Sequence, residues 1–113
     1  MKHLMLGIVL SVALLGCTDK QESTTKATSG KLAAADVGAG KAFIERECKG
    51  CHGLDGKSAA AAIPNLAGQR ERYLFAALKA YKEGKRTHAA LKDMAAHMSE
   101  ADVRNVAAYY SGL

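Results

Sequence analysis

The sequence has no tryptophan and only six aromatic residues among its 113. A chain this short holds one domain and has little with which to fill its core. Proline occurs once, at Pro64. No stretch alternates apolar and polar residues with a period of two, so essentially no sheet is expected. No nucleophile–base constellation and no phosphate-cradling glycine loop are present, so no enzymatic activity is expected. The basic residues are scattered and have no aromatics interleaved with them, which argues against nucleic acid. No apolar run reaches the roughly 20 residues that a membrane-spanning helix needs.

The first segment has its own logic. Met1-Lys2-His3 is a short basic start, and Leu4 to Leu15 is apolar except for Gly7 and Ser11. Small residues follow, as in an export signal. Leu14-Leu15-Gly16-Cys17 resembles a bacterial lipobox. That resemblance implies removal of residues 1–16 and lipidation of Cys17, which would anchor the protein to a membrane leaflet. The mature chain loses one basic residue, Lys2, and keeps a mildly basic balance. Such a charge suits an acidic protein partner or an anionic surface.

Residues 17–35 are polar and rich in Thr, Ser and Lys, and they read as a flexible tether. The globular part is then 36–113, and it reads as helical. Asp36 can cap a helix through Gly40, Phe43, Ile44 and Glu47. Leu74, Ala77, Leu78 and Tyr81 recur at helical spacing within Glu71 to Glu83, and Gly84 is a natural stop. Leu91, Met94, Ala95 and Met98 mark a short third segment. Ser99 and Asp102 form a capping box with Asp in place of Glu, ahead of the apolar face of Val103, Val106, Ala107 and Tyr110. Gly50, Gly53 and Gly56 interrupt the stretch after the first helix.

Two of the three cysteines carry the chemistry. Cys48-Lys49-Gly50-Cys51-His52 is C-x-x-C-H, the attachment signature of c-type haem. Two thiols one turn apart can add to the two vinyl groups of haem, and the adjacent histidine then supplies the proximal nitrogen to iron. Gly50 would let the backbone pass close to the porphyrin edge. A zinc site usually wants a second cysteine pair, which the chain lacks. A thioredoxin-like pair wants a βαβ setting, and a structural disulfide would leave His52 without a role. A large covalently held apolar cofactor would also supply the missing core.

The globular part resembles the class I c-type cytochromes, on Gly40, Phe43, Cys48 to His52, Ile63 to Gln69, Tyr73-Leu74, Gly84-Lys85-Arg86 and Ser99 to Tyr110. The resemblance implies an all-α fold of three to five helices around one covalent haem c. It implies a carrier of electrons between redox protein partners on the periplasmic side of a bacterial membrane. It implies that a carbonyl near Pro64 orients His52, and that Gly40 and Phe43 touch Tyr109 or Tyr110. The sixth iron ligand in this family is normally a methionine before the last helix, and the corresponding position here is Leu91, which cannot ligate iron. Met94, one helical turn on, is the expected distal ligand. Met98, His97 and His88 are the other nearby donors, and both Met98 and Met94 also suit core packing. An open iron beside Leu91 would instead bind small gases or give weak peroxidase chemistry. Lys49 and Lys57 flank the attachment site and are the better candidates to meet an acidic partner. Lys79, Lys82, Lys85 and Lys92 could also frame the haem edge, but the first three read at least as well as solvated helix faces.

Overall fold

The computed structural model describes residues 33–113, and the segments read as export signal and tether, Cys17 included, lie outside the described residues except for the last three tether positions. Five helices follow in order: α1 (Val37–Glu47), α2 (Lys49–His52), α3 (Glu71–Lys82), α4 (Ala89–His97) and α5 (Glu100–Ser111). There is no strand among the described residues, as the lack of period-two alternation implies. No helix among them is long and apolar enough to cross a membrane.

Helix ends follow local chemistry. The Asp36 carboxylate accepts from the Ala39 amide at 2.9 Å and caps α1. Ser99 and Asp102 close the expected box: Ser99 Oγ accepts from the Asp102 amide at 3.0 Å, and the Asp102 carboxylate accepts from the Ser99 amide at 2.8 Å. Such reciprocal caps satisfy amides that a helix start leaves without partners. α3 ends at Gly84, whose φ of 71° only glycine adopts cheaply. There the Lys85 amide donates to the Ala80 carbonyl and the Gly84 amide to the Tyr81 carbonyl, a Schellman ending. α4 starts two residues before Leu91, the first apolar position that periodicity marks. The C-x-x-C-H stretch forms the short helix α2, because each of Cys51 and His52 returns its amide to the Cys48 carbonyl.

The core is small. α5 packs on α1 and α3, and α4 packs on α3. α5 contributes Val103, Val106, Ala107 and Tyr110, which meet Ile44 from α1, Leu74 from α3 and Met98. At the α1–α5 crossing the backbones nearly touch. A Cβ on Gly40 would lie 2.3 Å from the Asn105 carbonyl oxygen. The Asn105 side chain returns across the same crossing and accepts from the Asp36 amide at 2.9 Å. Gly40 thus faces the main chain of Asn105 and Val106, about one turn before the tyrosines expected beside it. The close approach of the two helices is a matter between backbones. Phe43 and Tyr109 both pack against the core cluster that holds Tyr110.

Candidate functional site

α1 does not simply stop. Its C-cap is Cys48, whose amide donates to the Ile44 carbonyl at 2.9 Å, and α2 starts at the next residue. The two thiols therefore stand one turn apart. Cys48 is buried and Cys51 exposed, and both are free. Burial pushes the Cys48 thiol up to about 11, and the Glu47 carboxylate and Cys51 add to the rise.

Gly53, with a φ of 72°, turns the chain away from His52. The loop after it is fixed at several points. Tyr110 donates its hydroxyl to the Gly53 carbonyl at 3.0 Å, and Tyr109 donates to the Leu54 carbonyl at 2.9 Å. The Gly56 carbonyl accepts from the Leu66 amide at 2.8 Å, and Asn65 accepts from the Ser58 amide at 2.8 Å. Gly68 closes the loop by donating its amide to the Tyr110 carbonyl at 2.9 Å.

Held this way, the Pro64 carbonyl lies 2.9 Å from His52 Nδ1. A carbonyl only accepts, so Nδ1 carries a proton, which in the neutral ring leaves the Nε2 lone pair free. That is the tautomer a metal-ligating histidine requires, with the orienting partner usual for one. The expected carbonyl partner of His52 is thus in place.

Cys48, Cys51 and His52 all line one cavity of about 220 Å³, together with Leu66, Leu74, Leu78 and Val106. Leu91 and Met94 line it too. The structure brings Met94 to the cavity and leaves the other donors out. Met98 is 1% exposed inside the core. His97 and His88 are exposed, and His97 bonds through Nδ1 to the Asp93 carbonyl at 2.7 Å. Met94 also borders a second cavity with Phe43, Glu47, Asp93 and His97.

The residues present fit a covalent haem. Two free thiols, an imidazole in the ligating tautomer, an apolar wall and one thioether share a single cavity. A Cβ on Gly50 would meet no protein atom within 4 Å, so the protein itself imposes no need for glycine there. Asn65, Gln69, Tyr73, Tyr81 and Arg86 complete the wall with hydrogen-bonding groups. Arg86 stacks over the Tyr81 ring at 4.7 Å. The sequence marks Arg86, Tyr109 and Tyr110 only as points of family resemblance, and shows neither the tyrosine-to-carbonyl ties nor the place of Arg86 in the wall. Of the lysines, Lys79 and Lys85 are held in ion pairs with Glu100 and Glu83 and Lys82 bonds the Met98 carbonyl, while Lys49, Lys57 and Lys92 are exposed.

The family model for cytochrome c matches residues 37–113. The chain belongs to the cytochrome c family. Its fold is the small class I cytochrome c fold, and membership implies covalent haem c. Cytochrome c4 of Pseudomonas aeruginosa is 34% identical over 111 residues, covering 98% of this chain and 48% of that protein. Cytochrome c-554(548) of Halomonas halodenitrificans is 42% identical over 81 residues, covering 69% of this chain and 96% of that one. Among solved structures, reduced recombinant cytochrome c4 from Pseudomonas stutzeri superposes with a TM-score of 0.64 at 37% identity, over 69% of this chain and 45% of that chain. The chain therefore spans about half the length of the cytochrome c4 relatives and nearly all of the c-554(548) cytochrome.

Proposed function

We propose that this cytochrome is an electron carrier with one covalent haem, rather than an enzyme. The observation that carries the reading is His52 Nδ1 at 2.9 Å from the Pro64 carbonyl, beside two free thiols on an apolar cavity. Bound haem supplies a one-electron iron couple. Cys48 and Cys51, both free thiols, would hold the haem through two thioether bonds. His52, its ring oriented by the Pro64 carbonyl, would hold the iron through Nε2. Met94, which lines the cavity with Leu91, would be the thioether available to the iron. The apolar part of the lining would favour a raised potential for bound haem.

In this reading Cys17 carries lipid, the domain sits on the periplasmic side of a bacterial membrane, and partners are redox proteins with acidic docking surfaces. Lys49 and Lys57, exposed beside the attachment site, are the proposed contacts. Association with such partners then weakens as salt rises.

The test is expression with haem attachment machinery. The exported protein is expected to be red, to keep its haem through acid–acetone extraction, and to show one reversible potential with fast exchange to an oxidase or reductase. Colourless protein or extractable haem refutes the reading. A high-spin ferric spectrum with ready carbon monoxide binding replaces the carrier with a five-coordinate gas-binding protein. Labelled fatty acid on the wild type and not on Cys17→Ala tests the anchor.

A further inference from the structure

α4 presents Leu91 and Met94 to the haem cavity, so whatever fixes α4 fixes that wall. The helix has few anchors. It packs mainly on α3, and it enters the core through Ala95 and, at its C-cap, Met98. The backbone at that C-cap is gripped from α3. Lys82, partly buried, donates its ammonium to the Met98 carbonyl at 2.5 Å. One turn back on the same face, Lys79 donates to Glu100 at 3.1 Å. Two lysines of α3 thus reach the corner where α4 ends and α5 begins.

The two contacts differ in kind. Lys79 also faces Glu83, and its ammonium is well exposed, as surface pairs usually are. Lys82 holds a backbone carbonyl instead of a carboxylate. That carbonyl lies at the negative end of the α4 dipole, where a cation is favoured. A bond from a charged donor is stronger than a neutral one, more so when partly out of water.

We infer that Lys82 is a positioning residue for the distal wall: by holding the Met98 carbonyl it sets how closely Leu91 and Met94 stand to the iron's sixth position. The inference rests on the proposal that this face of α4 covers that position. Lys82 does not line the cavity, and acts through the end of the helix alone. Releasing it lets α4 draw back, so an added ligand competes better for the iron.

The experiment is a cyanide titration of the ferric holoprotein, with the near-infrared methionine–iron band recorded alongside. Lys82→Met is expected to bind cyanide about tenfold more tightly, the low end of what losing a bond to a charged group costs. Removing a cation would by itself disfavour an anionic ligand, so a rise in affinity reports release of the helix. Lys82→Arg, which can still donate, should return most of the wild-type affinity. Lys85→Met, which removes an exposed ammonium paired with Glu83, should change nothing. Unchanged cyanide affinity in folded, haem-loaded Lys82→Met overturns the inference, and so does an equal rise in Lys85→Met. If Lys82→Met does not accumulate, Lys82→Gln is read by the same criterion. Absence of the near-infrared band from the wild type refutes Met94 ligation separately, and the cyanide comparison still decides the role of Lys82.

Discussion

The Tyr110 hydroxyl donates to the Gly53 carbonyl at 3.0 Å, so the last helix holds the residue that follows His52. Tyr110 is 1% exposed. Its own carbonyl accepts from Gly68, so one residue pins the loop at both ends. Burial, chiefly, pushes the phenol above its ordinary range, with the Cys48 thiol and Tyr109 adding to the rise.

Tyr110→Phe removes the donor and keeps the ring. The haem-loaded variant should lose about 1–2 kcal/mol of stability, the cost of one buried hydrogen bond. A denaturant titration measures it, and haem content should stay unchanged. The pH dependence has a definite sign. A raised folded pKa means the folded state keeps the proton after the unfolded state has lost it. The contribution is therefore full below the ordinary tyrosine value of 10.0 and declines as pH rises above it. Tyr110→Phe should show a shallower decline than the wild type above about pH 10. Lys41, raised by Glu45, and Lys79, raised first by Glu100 and then by Glu83, remain in both proteins. They account for part of the decline that persists.

Gly40→Ala places a methyl group where the Asn105 carbonyl already stands, 2.3 Å away. Neither backbone can yield without parting α1 from α5. The expected cost is about 1–3 kcal/mol or more, as for overpacking elsewhere. Gly50→Ala is the control, since its methyl meets no protein atom within 4 Å. In the haem-loaded protein any loss of stability in this variant reports the cofactor's demand for glycine, since the protein itself leaves room for the methyl. Thermal unfolding of the two variants separates a steric demand of the fold from one of the cofactor.

Met94→Ala should turn the oxidised protein high-spin, abolish the near-infrared methionine band and lower the potential. Met98→Ala should leave the spectrum alone and cost about 2–5 kcal/mol, since that side chain is core. An unchanged spectrum in Met94→Ala assigns Met94 to packing. Leu91→Met tests the same position from the other side. Beside an intact Met94 bond it should change little, whereas over an open iron it should convert high-spin haem to low-spin.

Much of this is legible in the sequence because it is written locally. The Asp36 cap, the Ser99–Asp102 box and the Gly84 ending each involve residues within a few positions of one another. C-x-x-C-H is equally local, and the family resemblance carries the Pro64 contact with His52. Contacts made across the chain are not legible. The ties from Tyr109 and Tyr110 to the loop span 55 and 57 residues and end on main-chain carbonyls, which bear no side-chain signature. Gly40 signals a close approach of helices, yet its partner is again a backbone atom, the Asn105 oxygen. Lys82 reads like any surface lysine, because the carbonyl it holds is set by the turn between α4 and α5.

The ties around Tyr110 form a closed circuit. Gly53 adjoins His52, His52 bonds the Pro64 carbonyl, Gly68 bonds Tyr110, and Tyr110 returns to Gly53. An imidazole inside such a circuit cannot tilt without straining every link. A ligand that stays still while charge comes and goes leaves little nuclear rearrangement to wait for. In the proposed carrier the circuit makes His52 a stiff mount for the iron.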